Sequence, residues 1–313
     1  MNLSRVAANY LKFKRALGMR FNNEEKVLAA FCRLVKDPDI RNVRPQQVSA
    51  FLLRGGQVTT SWHYKFAVLS SFYRFVLGRG YAARSPLPIT VPKRPEVAPP
   101  YIYTQDELRR LLEATPSLIG PQSPLRGHIF RTLLLTLYGA GLRIGEALRL
   151  TATDVDLSRR VISIRDTKFY KSRLVPIGPR LATVLGNYLQ VRKRLPCAGM
   201  QAPLFPTFRG APMSRSRAEH LFRRLRSHAR IWREPPMPFQ PRFHDIRHTS
   251  AVHRLVAWYR QGLDVQRLLP KLSVFLGHSH LHDTQRYLTM TPEILKQANR
   301  RFERYAVQEV RHG

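Results

Sequence analysis

Acidic residues are scarce in this sequence: 20 Asp and Glu stand against 53 Lys and Arg in 313 residues, a formal charge of +33. Solubility of a small domain needs only about 2–8 net charges, so a surface merely tuned for solubility explains little of the excess. Such a charge repels itself in the folded state and points to a polyanionic partner. The excess is not one sticky tail, because residues 1–99 carry +12 and residues 100–313 carry +21. Cysteine is scarcer still. Cys32 and Cys197 lack metal-ligand spacing and cannot build a disulfide framework, which suits a reducing compartment. No run approaches the ~18 apolar residues of a membrane span. The opening stretch "MNLSRVAANYLKFKRALG" has helical patterning without the apolar core of a secretory leader, so no signal peptide is expected. No glycine-rich phosphate loop is visible, so nothing suggests ATP use, and no internal repeat is apparent. What is plentiful is hydrophobic content, at 43%, which excludes a disordered basic tail and allows two domains with sizeable cores.

Proline divides the chain. Pro86, Pro88, Pro92, Pro95, Pro99 and Pro100 fall in one short stretch, where fixed φ and missing N–H donors favour an extended linker. The expected organisation is therefore a helical domain over 1–84, a linker over 85–100 and a larger domain over 101–313. The first domain reads as four short helices. Val6, Tyr10, Phe13 and Leu17 mark an apolar side of the first, with Gly18 as its stop, and Phe66, Leu69, Phe72, Tyr73 and Val76 line the longest. After the linker, "TQDE" offers a capping box from Thr104 to Glu107. "IFRTLLLTLYGAGLRIGEALRL" is apolar enough to belong in a core. Val161, Ile162 and Ile164, then Leu174, Val175 and Ile177, suggest two strands around the turn-like "DTKFYK". Helices then return, among them the basic stretch 214–231, and an amphipathic helix over 292–310 begins at Thr291-Pro292. The fold class expected is mainly α with a small β-sheet.

Six residues combine into a chemistry. Arg143 lies in an apolar context and needs a partner, Glu146 being the near one. Lys168 sits at the predicted hairpin tip; His244 and Arg247 in "HDIRHT" share a helix face; "LGHSHLHDTQRYL" supplies His278 and Tyr287. Two arginines can hold the non-bridging oxygens of one phosphodiester. A lysine can protonate a leaving alkoxide, histidines can move protons near neutral pH, and a tyrosine hydroxyl can attack phosphorus. Together they suit phosphoryl transfer, which rewards positioning and charge stabilisation.

Their order resembles the tyrosine recombinase family, also called phage integrases, over most of the chain. "GLRIGEALRL" matches the first-arginine motif at Arg143, with Glu146 as the supporting acid. "TKFYKSRLVPIG" matches the hairpin-lysine motif at Lys168. "HDIRHT" matches the H-x-x-R box at His244 and Arg247, "LGHS" the second histidine at His278, and "TQRYL" the nucleophile at Tyr287. The resemblance implies a helical SAM-like core-binding domain and a recombinase catalytic domain forming a clamp around double-stranded DNA. It implies attack by Tyr287 to give a 3′-phosphotyrosine, with Arg143, Arg247 and His278 stabilising the transition state. Lys168 would protonate the 5′-oxygen and His244 would assist proton transfer at Tyr287. Because the bond energy stays in the phosphotyrosine, no metal or other cofactor is expected. A homo-tetramer on two DNA sites, accessory recombinase partners, and a cytoplasmic, nucleoid-associated location follow from the same likeness.

Several alternatives stand beside it. "HDIRH" resembles the H-E-x-x-H zinc pattern with Asp for Glu, though Arg247 would repel a cation; His280, His282 and Asp283 are expected on the solvent or DNA side of their turn. The 31 positions from Arg247 to His278 exceed those of compact family members and look more like recombinases carried by transposable elements. The last helix either packs on its own domain or docks into a neighbouring protomer. A catalytically silent DNA-binding accessory subunit and a type IB-like topoisomerase are the competing functions.

Overall fold

The computed structural model describes all residues except 55, 97, 166–171, 196–198, 200, 238, 290–295, 297–298 and 300–313. Lys168 and most of the expected C-terminal helix lie outside the described residues. The chain separates into two units, Met1–Val97 and Ala98–Gly313.

In the first unit, helices α1 (Leu3–Ala16), α2 (Asn22–Leu34), α3 (Pro45–Leu52) and α4 (Thr60–Gly78) enclose an apolar core. Its centre is aromatic: Tyr10 meets Phe72 edge-on at 5.5 Å, and Phe31 meets Phe51 at 5.1 Å. The expected stripe on α4 is buried at Leu69, Phe72, Tyr73 and Val76. On α1 the buried side is Leu3, Val6, Ala7, Tyr10 and Leu11, while Phe13 and Leu17 are exposed. This corrects the expected pattern, and the reason is geometric. The helix closes at Ala16, so Leu17 falls beyond it, and Gly18 turns the chain away at φ +78°, a conformation open to glycine.

The second unit begins with the extended segment 101–104, then α5 (Gln105–Glu113), α6 (Arg126–Ala140) and the one-turn α7 (Ile144–Ala147). The Thr104 hydroxyl accepts from the Glu107 N–H at 3.1 Å, and the Glu107 carboxylate accepts from the Thr104 N–H at 2.8 Å, which completes the expected capping box. Three antiparallel strands follow in the order β1 (Val155–Asp156), β2 (Val161–Ile164) and β3 (Arg173–Pro176). The two-residue β1 was not expected; it is too short to show alternation. Val161 pairs with Pro176 and Ile164 with Arg173, and this register sends the Arg173 side chain toward the end of a later helix. Helices α8 (Pro179–Arg192), α9 (Arg215–His228), α10 (Phe243–Arg260), α11 (Val265–Leu276) and the short α12 (His282–Gln285) follow, and the 3₁₀ turn Arg286–Thr289 succeeds α12.

Helix α6 runs through the core, burying Ile129, Phe130, Leu133, Leu134 and Leu137. Each such side chain is worth about 1.5–3 kcal/mol relative to exposure, so the helix is a rigid support for the turn that follows it. A smaller apolar cluster joins Val252, Leu255, Leu269, Leu272, Leu276 and Tyr287, seating the nucleophile candidate against α10 and α11. No helix among the described residues is long and apolar enough to cross a membrane.

Candidate active site

Two glycines end the helices that frame the site. Gly141 closes α6 at φ +60° and Gly277 closes α11 at φ +68°, left-handed conformations that satisfy helix ends cheaply only without a Cβ. Their turns expose carbonyls that hold arginines. Arg247 Nη1 donates to the Gly141 carbonyl at 2.7 Å, and Arg247 Nη2 donates to the Leu276 carbonyl at 2.6 Å. Arg143 Nη2 donates to the Gly277 carbonyl at 3.1 Å.

Glu146 sits among these arginines and is buried. Its carboxylate accepts from Arg143 Nη1 at 2.8 Å and from the Arg143 backbone N–H at 2.9 Å. From the other side Arg173 reaches it as a fork, at 3.1 and 2.9 Å. Arg247 Nη1 stands 3.9 Å away. Burial alone would raise the Glu146 pKa, but Arg173 and Arg143 outweigh it and hold the carboxyl at about 2. Three guanidinium groups thus share one carboxylate, and the surplus positive charge borders a cleft of about 600 Å³ lined also by Arg149, Arg215, His244 and His278. Such a cleft focuses an anion. Arg247 is nearly inaccessible, and burial followed by Arg143 lowers its pKa to about 10, which leaves it charged at neutral pH.

Tyr287 lies in the 3₁₀ turn Arg286–Thr289 and is 1% exposed. Its hydroxyl is 2.9 Å from His248 Nδ1. Burial raises its pKa, and the positive charges of Arg247, Arg286 and Arg143 offset this only in part. The His278 ring stacks near Tyr287 at 6.0 Å, and His278 Nδ1 is 2.7 Å from the hydroxyl of the fully buried Thr284. His244 meets His248 edge to face at 4.7 Å. Burial first, and then the neighbouring arginines, lower His244 and His278 to about 4. His248 falls to about 3 through burial, then His244 and Arg247. All three rings are neutral at pH 7.

The structure therefore brings Arg143, His244, Arg247, His278 and Tyr287 into one region, with Glu146 at its base; Lys168 lies outside the described residues. The side chain that meets the Tyr287 hydroxyl is His248 rather than His244. His248 and Arg173 were not singled out in the sequence. His248 was findable, since it follows His244 by four positions on one helix face. Arg173 carried no signal, because only the strand register reveals its pairing with Glu146. His280, His282 and Asp283 are exposed, and among the described residues no group of three or more His, Cys, Asp or Glu is arranged to hold a metal.

The sequence profile of the Phage integrase family matches residues 102–293. The chain belongs to that family. This integrase-family protein is a site-specific tyrosine recombinase. It is 34% identical over 300 residues to the integrase/recombinase homologue y4rB of Sinorhizobium fredii, covering 94% of this chain and 95% of the relative. It is 30% identical over 280 residues to the tyrosine recombinase XerC of Chlorobaculum tepidum, covering 84% and 79%. Among solved structures, the Tn1549 transposon integrase in complex with a circular intermediate DNA aligns at TM-score 0.71 and 18% identity, over 97% of this chain and 99% of that one. A lambda integrase tetramer bound to a Holliday junction aligns at TM-score 0.66 and 17% identity, over 92% and 77%. At these identities the structural likeness establishes the fold: a mainly helical recombinase with a small three-stranded sheet.

Proposed function

We propose that this recombinase cuts and rejoins DNA through a 3′-phosphotyrosine at Tyr287, in the service of a mobile element. The observation that carries the reading is the burial of Tyr287 against α10 and α11, its hydroxyl 2.9 Å from His248 Nδ1 and within the electrostatic reach of Arg247 and Arg143. A phosphodiester entering the cleft meets Arg143 and His278 and supplies the anion that Glu146 provides only in part. Attack by the Tyr287 oxygen forms the phosphotyrosine and releases a 5′-hydroxyl. Arg143, Arg247 and His278 stabilise the charge that builds on the phosphoryl oxygens. Lys168 protonates the leaving 5′-oxygen, and His244, on the cleft wall, takes part in proton transfer. The helical unit Met1–Val97, with its share of the positive charge, grips the duplex as a second DNA-binding part.

The mobile-element role draws on the long segment between Arg247 and His278 and on the transposon integrase among the structural neighbours. Assembly as a tetramer on two DNA sites draws on the lambda integrase tetramer. The test uses a nicked duplex carrying the junction sequence of the genetic element that encodes the protein, so that release of the short strand traps the covalent complex. Wild type forms a protein–DNA band resistant to denaturation, and Tyr287→Phe forms none. A band of equal strength from Tyr287→Phe removes Tyr287 as the nucleophile.

A further inference from the structure

We propose that His248 is the proton acceptor for the Tyr287 nucleophile, taking the phenolic proton at Nδ1 as the tyrosine oxygen bonds to phosphorus. The inference rests on the reading of Tyr287 as the nucleophile and adds a residue to it. Arg247 can only donate hydrogen bonds, and its guanidinium is held by the Gly141 and Leu276 carbonyls, so it cannot take the tyrosine proton. His248 Nδ1, at 2.9 Å, lies at the distance a general base requires. His244 offers no comparable contact: its ring meets the ring of His248 at 4.7 Å, which places it one step behind.

The surroundings of His248 fit the task. The charged and titratable groups that bear on it are His244, Arg247 and Arg242 from α10 and its cap, and Arg286 and Tyr287 from the 3₁₀ turn. Together with burial, the cations keep the imidazole neutral before DNA binds. A phosphodiester in the cleft beside Arg143 and His278 offsets that positive field, so the imidazole becomes more basic as the scissile phosphate arrives. The step balances as follows. The Tyr287 Oη–P bond forms, the P–O5′ bond breaks, the tyrosine proton passes to His248, and the leaving 5′-oxygen takes its proton from Lys168. Rejoining runs the same transfers backwards, with His248 returning the proton to the tyrosine.

The experiment measures single-turnover formation of the covalent complex on the nicked junction duplex between pH 6 and 9, for wild type, His248→Ala, His248→Asn and Tyr287→Phe. Asn keeps a hydrogen-bond acceptor near the Nδ1 position but has no basicity, and melting temperature and affinity for the same duplex establish that each variant is folded. Loss of a general base slows reaction by roughly 10²–10⁴-fold. Both His248 variants are expected in that range. Their rates should climb about tenfold per pH unit above pH 7 as hydroxide replaces the base, while the wild-type rate stays flat. Added imidazole should restore part of the His248→Ala rate. A folded His248→Ala within threefold of wild type overturns the proposal, and a fully active His248→Asn reduces His248 to a hydrogen-bond partner. If instead Tyr287→Phe still forms the complex, or wild type forms none, the reading of Tyr287 fails and His248 falls with it.

Discussion

Replacing Glu146 by Gln removes the one negative charge that three arginines share. The carboxyl has an ordinary pKa of 4.5 and is held at about 2 in the folded protein. At about 1.4 kcal/mol per tenfold change in proton affinity, this corresponds to about 3 kcal/mol of stability at neutral pH. That agrees with the roughly 3–5 kcal/mol usual when one member of a buried ion pair is removed. The side chain is only 3% exposed, so solvent screening discounts little of it. For a unit of this size the loss should lower the melting temperature by roughly 2–4 °C per kcal/mol, or about 6–12 °C. The sign with pH is fixed by the lowered folded-state value. The contribution is complete above about 4.5, and it is lost as pH falls toward 2 and the wild-type carboxylate is protonated. Differential scanning calorimetry of wild type and Glu146→Gln at pH 7.5 and pH 4 checks both features. A gap of several degrees at pH 7.5 that narrows at pH 4 supports the ion-cluster account. Equal melting temperatures at pH 7.5, or a gap that widens in acid, would refute it.

Two further outcomes follow from the same geometry. Thr284→Val removes the partner of His278 Nδ1 while preserving volume, so it should cost about 1 kcal/mol in stability and slow covalent-complex formation more than it weakens DNA binding, as a rate-against-affinity comparison would reveal. Gly277→Ala places a Cβ 2.6 Å from the Arg173 guanidinium at a backbone φ of +68°; left-handed strain alone costs about 1–2 kcal/mol, and displacement of Arg173 from Glu146 should add a loss of cleavage visible in the same assay.

Much of the site was legible because its residues sit in short local patterns. Arg143 and Glu146 are three apart on one turn, His244 and Arg247 three apart on one helix, and His278 and Tyr287 nine apart in one short segment after α11. The contacts that bind the groups together were not legible. Arg173 reaches Glu146 across 27 positions, and His248 meets Tyr287 across 39. Such pairings depend on strand register and helix packing, which no local period encodes. The same limit applies to the fold. The capping box at Thr104 and the stop at Gly18 are local chemistry and were readable, whereas the burial side of α1 was set by where α2 and α4 pack. The strand β1 has only two residues and exists through its pairing with Val161 and Ile162.

The central claim is that Tyr287 carries the DNA. The most direct measurement is to trap the covalent complex on the nicked duplex, digest the DNA with nuclease and the protein with trypsin, and map the attached nucleotide by mass spectrometry. Cleavage after Arg286 and Lys296 releases residues 287–296, in which Tyr287 is the only tyrosine. The account predicts a nucleotide 3′-phosphate on that peptide, at Tyr287. A nucleotide on any other residue, or one joined through its 5′-phosphate, would contradict it.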